Sequence, residues 1–209
     1  MIERGPISVM IVDDHPFMRA GLAGEINAQA DMHVISEASD GLECIRNFRK
    51  WRPDVTLLDL RMPHMNGIEA LTAIRDEFPE AKIVVLTTLV ADAQVHRALR
   101  AGAMGYILKS LAHTELANTV RSVAAGRRRI PIEIATELAV HAGKEDLTDR
   151  ELSVLRAVSK GCSNKIIGAE LGISEHTIKN HIQNIMAKLG ANDRTHAVTI
   201  AVQRGFIEL

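Results

Sequence analysis

The sequence predicts an α/β domain built on a parallel sheet, followed by a small domain made only of helices. Short apolar runs alternate with helical patterns through the first 125 residues, and no strand-like run follows residue 126 until the end of the chain. Glycines then break the last 63 residues into short helical stretches, at Gly161, Gly172 and Gly190. These three observations define the predicted architecture.

Five apolar runs predict five strands, because each is short, rich in aliphatic residues and bounded by polar segments. The predicted strands cover residues 7–12, 32–36, 55–58, 82–86 and 105–108. Strands that alternate with helices form a parallel sheet, and a flavodoxin-like sheet of this size has the strand order 2-1-3-4-5.

Helical patterns separate the strands. Apolar residues recur at spacings of three and four between residues 66 and 78, and Pro79 then ends the helix. A second helix is predicted over residues 91–102, where Gly102 ends it.

The pattern changes after Gly126. Residues 126–146 contain a run of arginines, a proline and a short amphipathic stretch, which predict a linker with one helix at about residues 131–141. The chain therefore divides into an α/β domain (1–125), a linker (126–146) and an all-helical domain (147–209). The four helices of that last domain are predicted near residues 148–159, 163–171, 174–189 and 193–204.

Composition and charge narrow the class of protein. The chain has 46% hydrophobic and 24% charged residues, as is usual for a globular protein. Residues 1–125 carry 16 acidic and 13 basic side chains, whereas residues 147–209 carry six acidic and eight basic ones. An acidic front and a basic tail indicate separate partners for the two domains.

The sequence contains no feature that points to a membrane or an oxidising compartment. The amino terminus has no signal-peptide pattern, and no apolar run approaches the roughly 20 residues of a membrane span. Two cysteines, Cys44 and Cys162, form neither a metal-binding spacing nor a disulfide framework. We therefore expect a cytoplasmic protein without a membrane partner.

Polar side chains follow four of the predicted strands. They are Asp13 and Asp14 after strand 1, Asp59 after strand 3, Thr87 and Thr88 after strand 4, and Lys109 after strand 5. Because strands 1 and 3 are neighbours in the order 2-1-3-4-5, the three carboxylates converge at one edge of the sheet. Taken singly, Asp13 or Asp14 could be a helix cap, Asp59 a turn residue and Lys109 a solvated side chain.

Three carboxylates in one pocket repel each other unless a cation lies among them. Oxygen ligands with room for water and phosphate suit Mg²⁺. A carboxylate in this position can act as a nucleophile toward a phosphoryl group and form an aspartyl-phosphate. The pattern thus predicts a magnesium-assisted phosphoryl site among these three carboxylates.

The C-terminal helices carry a second pattern. The stretch "LTDRELSVLRAV" opens with a capping box from Thr148 to Glu151, and the glycine-containing turn "LGIS" joins two later helices. The second of these helices has an apolar stripe that predicts a core-facing side. Its opposite face carries His176, Lys179, Asn180, Gln183 and Lys188. That face is either a solvated helix surface or a DNA-reading surface with lysines for phosphates and amides for bases.

Residues 1–125 resemble the receiver domain of bacterial two-component response regulators. The matching segments are "IVDDHP", "LLDLRMPHMNGIEAL", "VVLTT" and "GYILKS". The resemblance implies that a sensor histidine kinase phosphorylates Asp59, and that Asp13, Asp14, Asp59 and the carbonyl of Arg61 hold Mg²⁺. It also implies three further roles: Lys109 pairs with the phosphoryl oxygens, Thr87 (beside Thr88) binds the phosphate, and Tyr106 is the aromatic switch residue. Ser110 stands where many receivers have a proline that favours a cis peptide.

Residues 147–209 resemble the LuxR-type helix-turn-helix module, through "LTDRELSVL", "GCSNKIIGAELGISEHTIKNHI" and "IMAKLGANDRTHAV". The whole chain thus resembles response regulators of the NarL/FixJ subfamily. The resemblance implies a double-stranded DNA partner, a homodimer in the active state, and RNA polymerase as a further partner that it allows. It places Lys179, Asn180 and Gln183 near bases, Lys165, Thr177 and His181 at the backbone, and Ala197, Ile200 and Ala201 in a dimer face.

Three other classes of protein are less well supported. Haloacid dehalogenase phosphatases have a second aspartate two residues after the nucleophile, where this chain has Arg61. A ligand-gated regulator with the same C-terminal module has no use for the set of Asp13, Asp14, Asp59 and Lys109. An atypical receiver that works only through protein contacts does not need the complete acidic set. We therefore expect a regulator and not an enzyme.

Overall fold

The structure, a computed structural model, describes residues 5–88, 92–132, 134–136 and 147–207, without the side chains of residues 92, 93 and 96. Two compact units form, one of Met1–Val90 with Val95–Glu137 and one of Ala91–Gln94 with Leu138–Leu209. The α/β class and the helical C-terminal domain predicted from the sequence are both confirmed.

Five parallel strands form one sheet in the predicted order β2-β1-β3-β4-β5. Their bounds are β1 Ile7–Val12, β2 Met32–Ala38, β3 Val55–Asp59, β4 Ile83–Thr87 and β5 Gly105–Leu108. Two strands extend one residue beyond their predicted ends, because Asp59 pairs with Leu86 and Thr87 pairs with Leu108. The polar residues at these two positions therefore belong to the sheet itself, which fixes their backbone.

Helices connect the strands. Their bounds are α1 Pro16–Asn27, α2 Gly41–Trp51, α3 Gly67–Glu77, α4 Asp92–Arg100 and α5 Ala112–Ala124, with a 3₁₀ turn at Lys109–Leu111. Helix α3 begins one residue later than predicted, because Asn66 caps it: the Asn66 side chain accepts from the Glu69 N–H, and the Glu69 carboxylate accepts from the Asn66 N–H.

The sheet is covered on both faces. Every residue of β3 and β4 is buried, as expected for central strands of a parallel sheet. One apolar core lies between the sheet and the buried sides of α1 and α5, which contribute Leu22, Ile26, Leu116 and Val120. Burial of this apolar surface stabilises the unit by about 25 cal/mol per Å². None of the helices among the described residues is both long and apolar enough to cross a membrane.

The chain beyond α5 returns to the edge of the sheet. The Arg129 N–H donates to the Met104 carbonyl and the Arg129 carbonyl accepts from the Tyr106 N–H, both at 2.9 Å. Arg129 thereby forms a parallel bridge beside Gly105 of β5. The first residues of the predicted linker are thus fastened to the first unit.

The predicted linker helix at 131–141 falls only partly within the described residues. Residues 132 and 134–136 are helical, and Ile134 among them is fully buried. The remaining positions lie outside the described residues. The predicted boundaries at residues 125 and 147 stay a prediction.

Residues 147–207, the part of the C-terminal domain that the structure describes, contain four helices: α6 Asp149–Ser159, α7 Asn164–Leu171, α8 Glu175–Leu189 and α9 Arg194–Gln203. Each predicted start coincides with an N-cap residue whose side chain accepts a backbone N–H of the first turn; these are Thr148, Ser163, Ser174 and Asp193. Gly172 and Gly190 end α7 and α8 in the left-handed conformation, which glycine adopts without strain.

A buried charge pair joins α6 to α8. The Glu151 carboxylate completes the capping box with Thr148 and lies 2.9 Å from the Lys188 ammonium. Burial raises the pKa of Glu151, but the hydrogen bonds from the Thr148 N–H and from Lys188 lower it by more. The pKa of Glu151 therefore lies below its ordinary value. Because the folded-state pKa of Glu151 is depressed, the pair stabilises the unit fully at pH values above the unfolded-state pKa of about 4.3. That stabilisation is lost as the pH falls through the folded-state pKa.

We predict that Glu151→Gln destabilises the second unit by about 1–3 kcal/mol at pH 7, because it leaves the Lys188 ammonium without its counter-charge. Hydrogen exchange of the amides in α6–α9, measured in the full chain, reports this loss. The difference from wild type should shrink as the pH drops below 4. Glu170→Gln, at an exposed position of α7, is the matched control and should leave exchange unchanged.

Candidate functional site

Three carboxylates meet at the carboxyl edge of the sheet. Asp13 directly follows β1, Asp59 is the last residue of β3, and these strands are neighbours. Asp13 and Asp59 are buried, with 0% and 4% exposure, whereas Asp14 is partly exposed. Ligand atoms of Asp13, Asp14, His15 and Asp59 all lie within 4.8 Å of one another. The structure therefore brings together the carboxylates that the sequence predicted to converge.

Lys109 is the cation of this pocket. It begins the 3₁₀ turn after β5, and its Nζ lies 2.8 Å from Asp59 Oδ2 and 2.7 Å from Asp13 Oδ2. Burial lowers the pKa of Lys109, but the two carboxylates raise it, and the net shift is upward. Burial raises the pKa of Asp59 despite the neighbouring ammonium. One lysine thus offsets only part of the negative charge that the fold concentrates here.

The donor set fits a hard divalent cation. Asp13 Oδ2 lies 2.7 Å from the Lys109 ammonium and Asp14 Oδ1 lies 2.6 Å from His15 Nδ1, and both oxygens are buried. Buried carboxylates are costly unless cations balance their charge, and Lys109 balances only part of it. Carboxylate and carbonyl oxygens are the ligands that Mg²⁺ prefers. Arg61, whose carbonyl the resemblance to receiver domains assigned to the metal, lies two residues after Asp59 in the loop that follows β3.

His15 is a member of the cluster that sequence reasoning missed. Its backbone N–H donates to Asp13 Oδ1 at 2.9 Å, and its Nδ1 lies 2.6 Å from Asp14 Oδ1. The signal was its position directly after the two aspartates. Its side chain is 71% exposed, so it lies at the rim of the pocket.

The residues predicted to respond to phosphate occupy distinct environments. Thr87 ends β4, is buried, and lies one residue beyond the Leu86 that pairs with Asp59. Thr88 is exposed, and its hydroxyl accepts a hydrogen bond from the Arg61 guanidinium. Tyr106 is fully buried and its hydroxyl donates to the Val95 carbonyl at 3.0 Å. Burial raises the pKa of this phenol.

The loop after β3 is closely packed against the start of α3. A Cβ built on Gly67 would lie 2.0 Å from the Asp59 carbonyl oxygen and 2.8 Å from the Leu60 Cα. The Gly67 N–H also donates to the Leu60 carbonyl at 2.9 Å. Only glycine fits this approach, so Gly67 shapes the backbone that presents Asp59. All described peptide bonds are trans, including the one that joins Lys109 to Ser110.

Helices α7 and α8 of the second unit are joined by the short turn that the sequence predicted. The predicted apolar stripe of α8 faces the core, with Ile178, Ile185 and Leu189 buried and Ile182 and Met186 packed against them. The opposite side exposes His176, Lys179, Asn180 and Gln183, and Lys165 is exposed on α7. Thr177 and His181 are half-buried. This polar surface, defined by Lys165, Lys179, Asn180 and Gln183, is called the α8 face below.

Lys188 does not belong to the α8 face. Its side chain is 18% exposed and its ammonium is bound to the buried Glu151. The sequence interpretation assigned it to DNA because it is basic and was placed on the helix face opposite the apolar stripe. In the structure its charge contributes to packing between α8 and α6, and we leave it out of the DNA-binding set.

Two of the three residues predicted for the dimer face on α9 are buried within the second unit, and the dimer face itself stays a prediction. Ala197 and Ala201 are 2% and 0% exposed and belong to the core of the second unit. They therefore have no surface to offer a partner. Ile200 is half-buried and packs against the same core. The small size of these alanines serves close packing within the unit.

Comparison with known proteins identifies the two halves separately. The family model of the response regulator receiver domain matches residues 9–121, and that of the luxR family of bacterial regulatory proteins matches residues 145–201. The transcriptional regulatory protein LiaR of Bacillus subtilis is 41% identical over 203 residues, which cover 93% of this chain and 96% of LiaR. The response regulator VraR of Staphylococcus aureus is 36% identical over 207 residues, which cover 97% and 99%.

Solved structures agree with these matches. The response regulator ChrA of a haem-sensing two-component system is 37% identical, with a TM-score of 0.58 over 98% of this chain and all of that one. A complex of the response regulator RcsB with DNA is 27% identical, with a TM-score of 0.67 over 95% and 99% of the two chains. The fold and site thus define a receiver joined to a DNA-binding module.

The chain belongs to the two-component response regulators that carry a LuxR-type DNA-binding domain. The resemblance drawn from the sequence motifs is confirmed, and so is the expectation of a transcription regulator and not an enzyme.

Proposed function

We propose that this chain is a phosphorylation-switched transcription factor, in which a sensor histidine kinase phosphorylates Asp59 and thereby controls DNA binding by the α8 face. The observation that carries the proposal is the buried Asp59 carboxylate, held 2.8 Å from Lys109 beside Asp13. The same chain carries an exposed polar recognition helix. We retain the domain limits 1–125, 126–146 and 147–209 as part of the proposal.

In the proposed reaction an Asp59 carboxylate oxygen attacks the phosphorus of a phosphohistidine on the kinase. An oxygen–phosphorus bond forms, the phosphorus–nitrogen bond breaks, and the imidazole leaves with the electron pair. Lys109 lies where its ammonium can follow the new phosphoryl oxygens. Asp13, Asp14, Asp59 and the Arg61 carbonyl would hold Mg²⁺, which neutralises charge on the transferring group.

The proposed switch uses Thr87 and Tyr106. The phosphoryl group brings new acceptor oxygens beside β4, and the Thr87 hydroxyl is placed at the end of that strand to donate to them. Tyr106 is buried, and we assign this inward position to the phosphorylated state. A receiver that exchanges between an inward and an outward arrangement of Tyr106 needs only a few kcal/mol of differential binding to shift the populations of the two states.

The output of the switch is DNA binding by a homodimer. Lys179, Asn180 and Gln183 would face base edges, and Lys165, Thr177 and His181 would contact the backbone. The solved complex of RcsB with DNA, and another of two RcsB dimers on two DNAs, support DNA and a second copy as partners. A DNA partner is consistent with a cytoplasmic location, and this function allows RNA polymerase as a further partner. The atypical receiver is not favoured.

The experiment that tests the proposal combines three measurements on the full chain. Mg²⁺ and a small phosphodonor should add one phosphoryl group by intact mass, raise the sedimentation coefficient and tighten binding to operator DNA. A full adduct with unchanged oligomeric state and DNA affinity would contradict the switch. No adduct, with a known receiver as positive control, would support regulation by protein contacts alone.

Metal binding gives an independent prediction. Mg²⁺ that binds only the folded chain stabilises it, by about 2.7 kcal/mol at a hundredfold excess over Kd. We expect thermal unfolding of the first unit to move upward with Mg²⁺ relative to chelator at matched ionic strength. Asp13→Asn should remove most of this shift, and Asp76→Asn, at an exposed position of α3, should retain it. An equal shift in both variants would remove Asp13 from the metal site.

The DNA interface gives a salt-dependence prediction. Each lysine that neutralises a phosphate adds about one unit to the slope of log affinity against log salt. We expect Lys165→Ala to weaken binding and to lower this slope by about one for each protomer on the DNA. Lys50→Ala, an exposed lysine on α2, is the control and should leave the slope unchanged. A slope that Lys165→Ala does not alter would show that this lysine makes no phosphate contact.

A further inference from the structure

The imidazole of His15 lies among the carboxylates of the acidic pocket. Its Nδ1 is 2.6 Å from Asp14 Oδ1 and 3.3 Å from Asp13 Oδ1. His15 is also the N-cap residue of α1, a position where the side chain commonly accepts a backbone N–H of the first turn, but its side chain makes no such bond. The ring is therefore directed to the two carboxylates and not to the helix.

The backbone fixes His15 in this position. Its N–H donates to Asp13 Oδ1 at 2.9 Å, and Pro16, which follows it, restricts His15 to the extended conformation that it has. The two oxygens of Asp13 have different neighbours, because Oδ2 lies 2.7 Å from the Lys109 ammonium. His15 thus adds a nitrogen beside the Asp13 oxygen other than the one that Lys109 binds.

The distances fit a nitrogen and several oxygens around one cation. In an octahedral shell with bonds of about 2.1 Å, adjacent ligand atoms lie about 3.0 Å apart and opposite ones about 4.2 Å apart. The distances of 2.6 and 3.3 Å from His15 Nδ1 to the two carboxylates lie on either side of the value for adjacent ligands. Ligand atoms of Asp13, Asp14, His15 and Asp59 all lie within 4.8 Å of one another. Only small side-chain rotations separate this arrangement from a shared shell.

We propose that His15 is a further ligand of the metal site, and that it makes the site bind Mn²⁺, Co²⁺ and Ni²⁺ more tightly than Mg²⁺. This inference rests on the metal site of the proposed function. Imidazole nitrogen suits transition ions, whereas Mg²⁺ prefers oxygen ligands and keeps several waters. His15 therefore raises the affinity for the transition ions and contributes little to the affinity for Mg²⁺. Its side chain is 71% exposed, so the ring can turn toward an ion without disturbing the core.

The first test is isothermal titration of the full chain with Mg²⁺, Mn²⁺ and Ni²⁺. We expect His15→Gln to weaken Ni²⁺ binding by at least about tenfold, the lower end for losing even an indirect contact to a metal. The loss should be smaller for Mn²⁺ and below about twofold for Mg²⁺, in the order of their preference for nitrogen. His33→Gln, at an exposed position of β2, is the matched control and should leave all three affinities unchanged. Mg²⁺ should compete with Mn²⁺, because the two ions share the carboxylates.

The second test is pulsed electron paramagnetic resonance of the Mn²⁺ complex, which detects a nitrogen bonded directly to the ion. We expect the nitrogen coupling in wild type and in His33→Gln, and its loss in His15→Ala. A histidine that only donates a hydrogen bond to Asp14 from outside the shell would give no such coupling. It would also change the affinities for Mg²⁺ and Ni²⁺ by the same factor, and either result would overturn the inference.

The outcomes separate this inference from the proposed function. A wild-type chain that binds neither Mg²⁺ nor Mn²⁺ would overturn the metal site and the role of His15 together. Phosphorylation with Mg²⁺, combined with equal Ni²⁺ affinities in wild type and His15→Gln, would overturn the role of His15 alone. Thermal unfolding in chelator should be the same for wild type, His15→Gln and His15→Ala, because the ring is mostly exposed. A loss of metal binding in these variants is then a loss of the ligand and not of the fold.

Discussion

Asp59→Asn should take up no phosphoryl group under conditions in which the wild-type chain is fully phosphorylated. The amide oxygen of asparagine is neutral and a poor nucleophile, and it cannot form an acyl phosphate. The change is nearly isosteric, and Lys109 keeps its ion pair with Asp13 at 2.7 Å. The loss is therefore chemical and not a collapse of the pocket. Intact mass after incubation with Mg²⁺ and a small phosphodonor gives the result directly.

The matched control is Asp76→Asn, which changes an exposed aspartate on α3. It should be phosphorylated like the wild type. If the phosphoryl group appears on Asp59→Asn to the wild-type extent, the phosphoacceptor is another residue and the proposed switch fails. Peptide mapping of the adduct would then locate that residue. If the phosphodonor no longer raises the DNA affinity of Asp59→Asn, while its affinity without phosphodonor equals that of wild type, the phosphorylation site controls DNA binding.

Gly67→Ala should severely impair the first unit, because its new methyl group would meet backbone and not a movable side chain. The Cβ position lies 2.0 Å from the Asp59 carbonyl oxygen, far inside van der Waals contact. Either α3 shifts outward or the end of β3 moves, and the second of these displaces the Asp59 carboxylate from Lys109. We expect a loss of about 3 kcal/mol or more in unfolding free energy, at the upper end for overpacking. Denaturant unfolding of the full chain, followed by the fluorescence of Trp51 in α2 of the first unit, measures it.

Gly24→Ala is the control for this prediction. Gly24 lies within α1, and nothing lies within 4 Å of a Cβ built there. Alanine should therefore stabilise that helix by up to about 1 kcal/mol. An equally small change in unfolding free energy for Gly67→Ala would show that the loop between β3 and α3 relaxes easily. Retained stability with lost phosphorylation would show that the glycine serves the site more than the fold.

Much of the first unit was accessible from the sequence for physical reasons. Central strands of a parallel sheet are buried on both faces, so they appear as uninterrupted apolar runs. A carboxylate directly after such a run, as at Asp59, is placed at the sheet edge by chain geometry alone. The helix starts were equally readable, since residues such as Asn66 and Thr148 are selected by the free N–H groups of the first turn.

What the sequence could not supply depends on how helices pack. Ala197 and Lys188 were assigned to surfaces because their helical positions were known but their neighbours were not. Lys188 turns toward Glu151, a residue 37 positions away in the chain. The hydrogen bond from the Arg61 guanidinium to the Thr88 hydroxyl likewise joins two segments that only the fold brings together. Spacing along one helix predicts which residues share a face, and not which face a neighbouring helix covers.

The backbone pairing of Arg129 with Met104 and Tyr106 has a practical consequence for dissecting this protein. Strand β5 is an outer strand, and unpaired peptide groups on such a strand invite association with other chains. Here the backbone of Arg129 pairs with part of this outer edge of the sheet. A fragment cut at residue 125 would uncover it and should tend to aggregate, whereas one that ends after residue 136 keeps its shield. Truncation is therefore best placed beyond the buried Ile134.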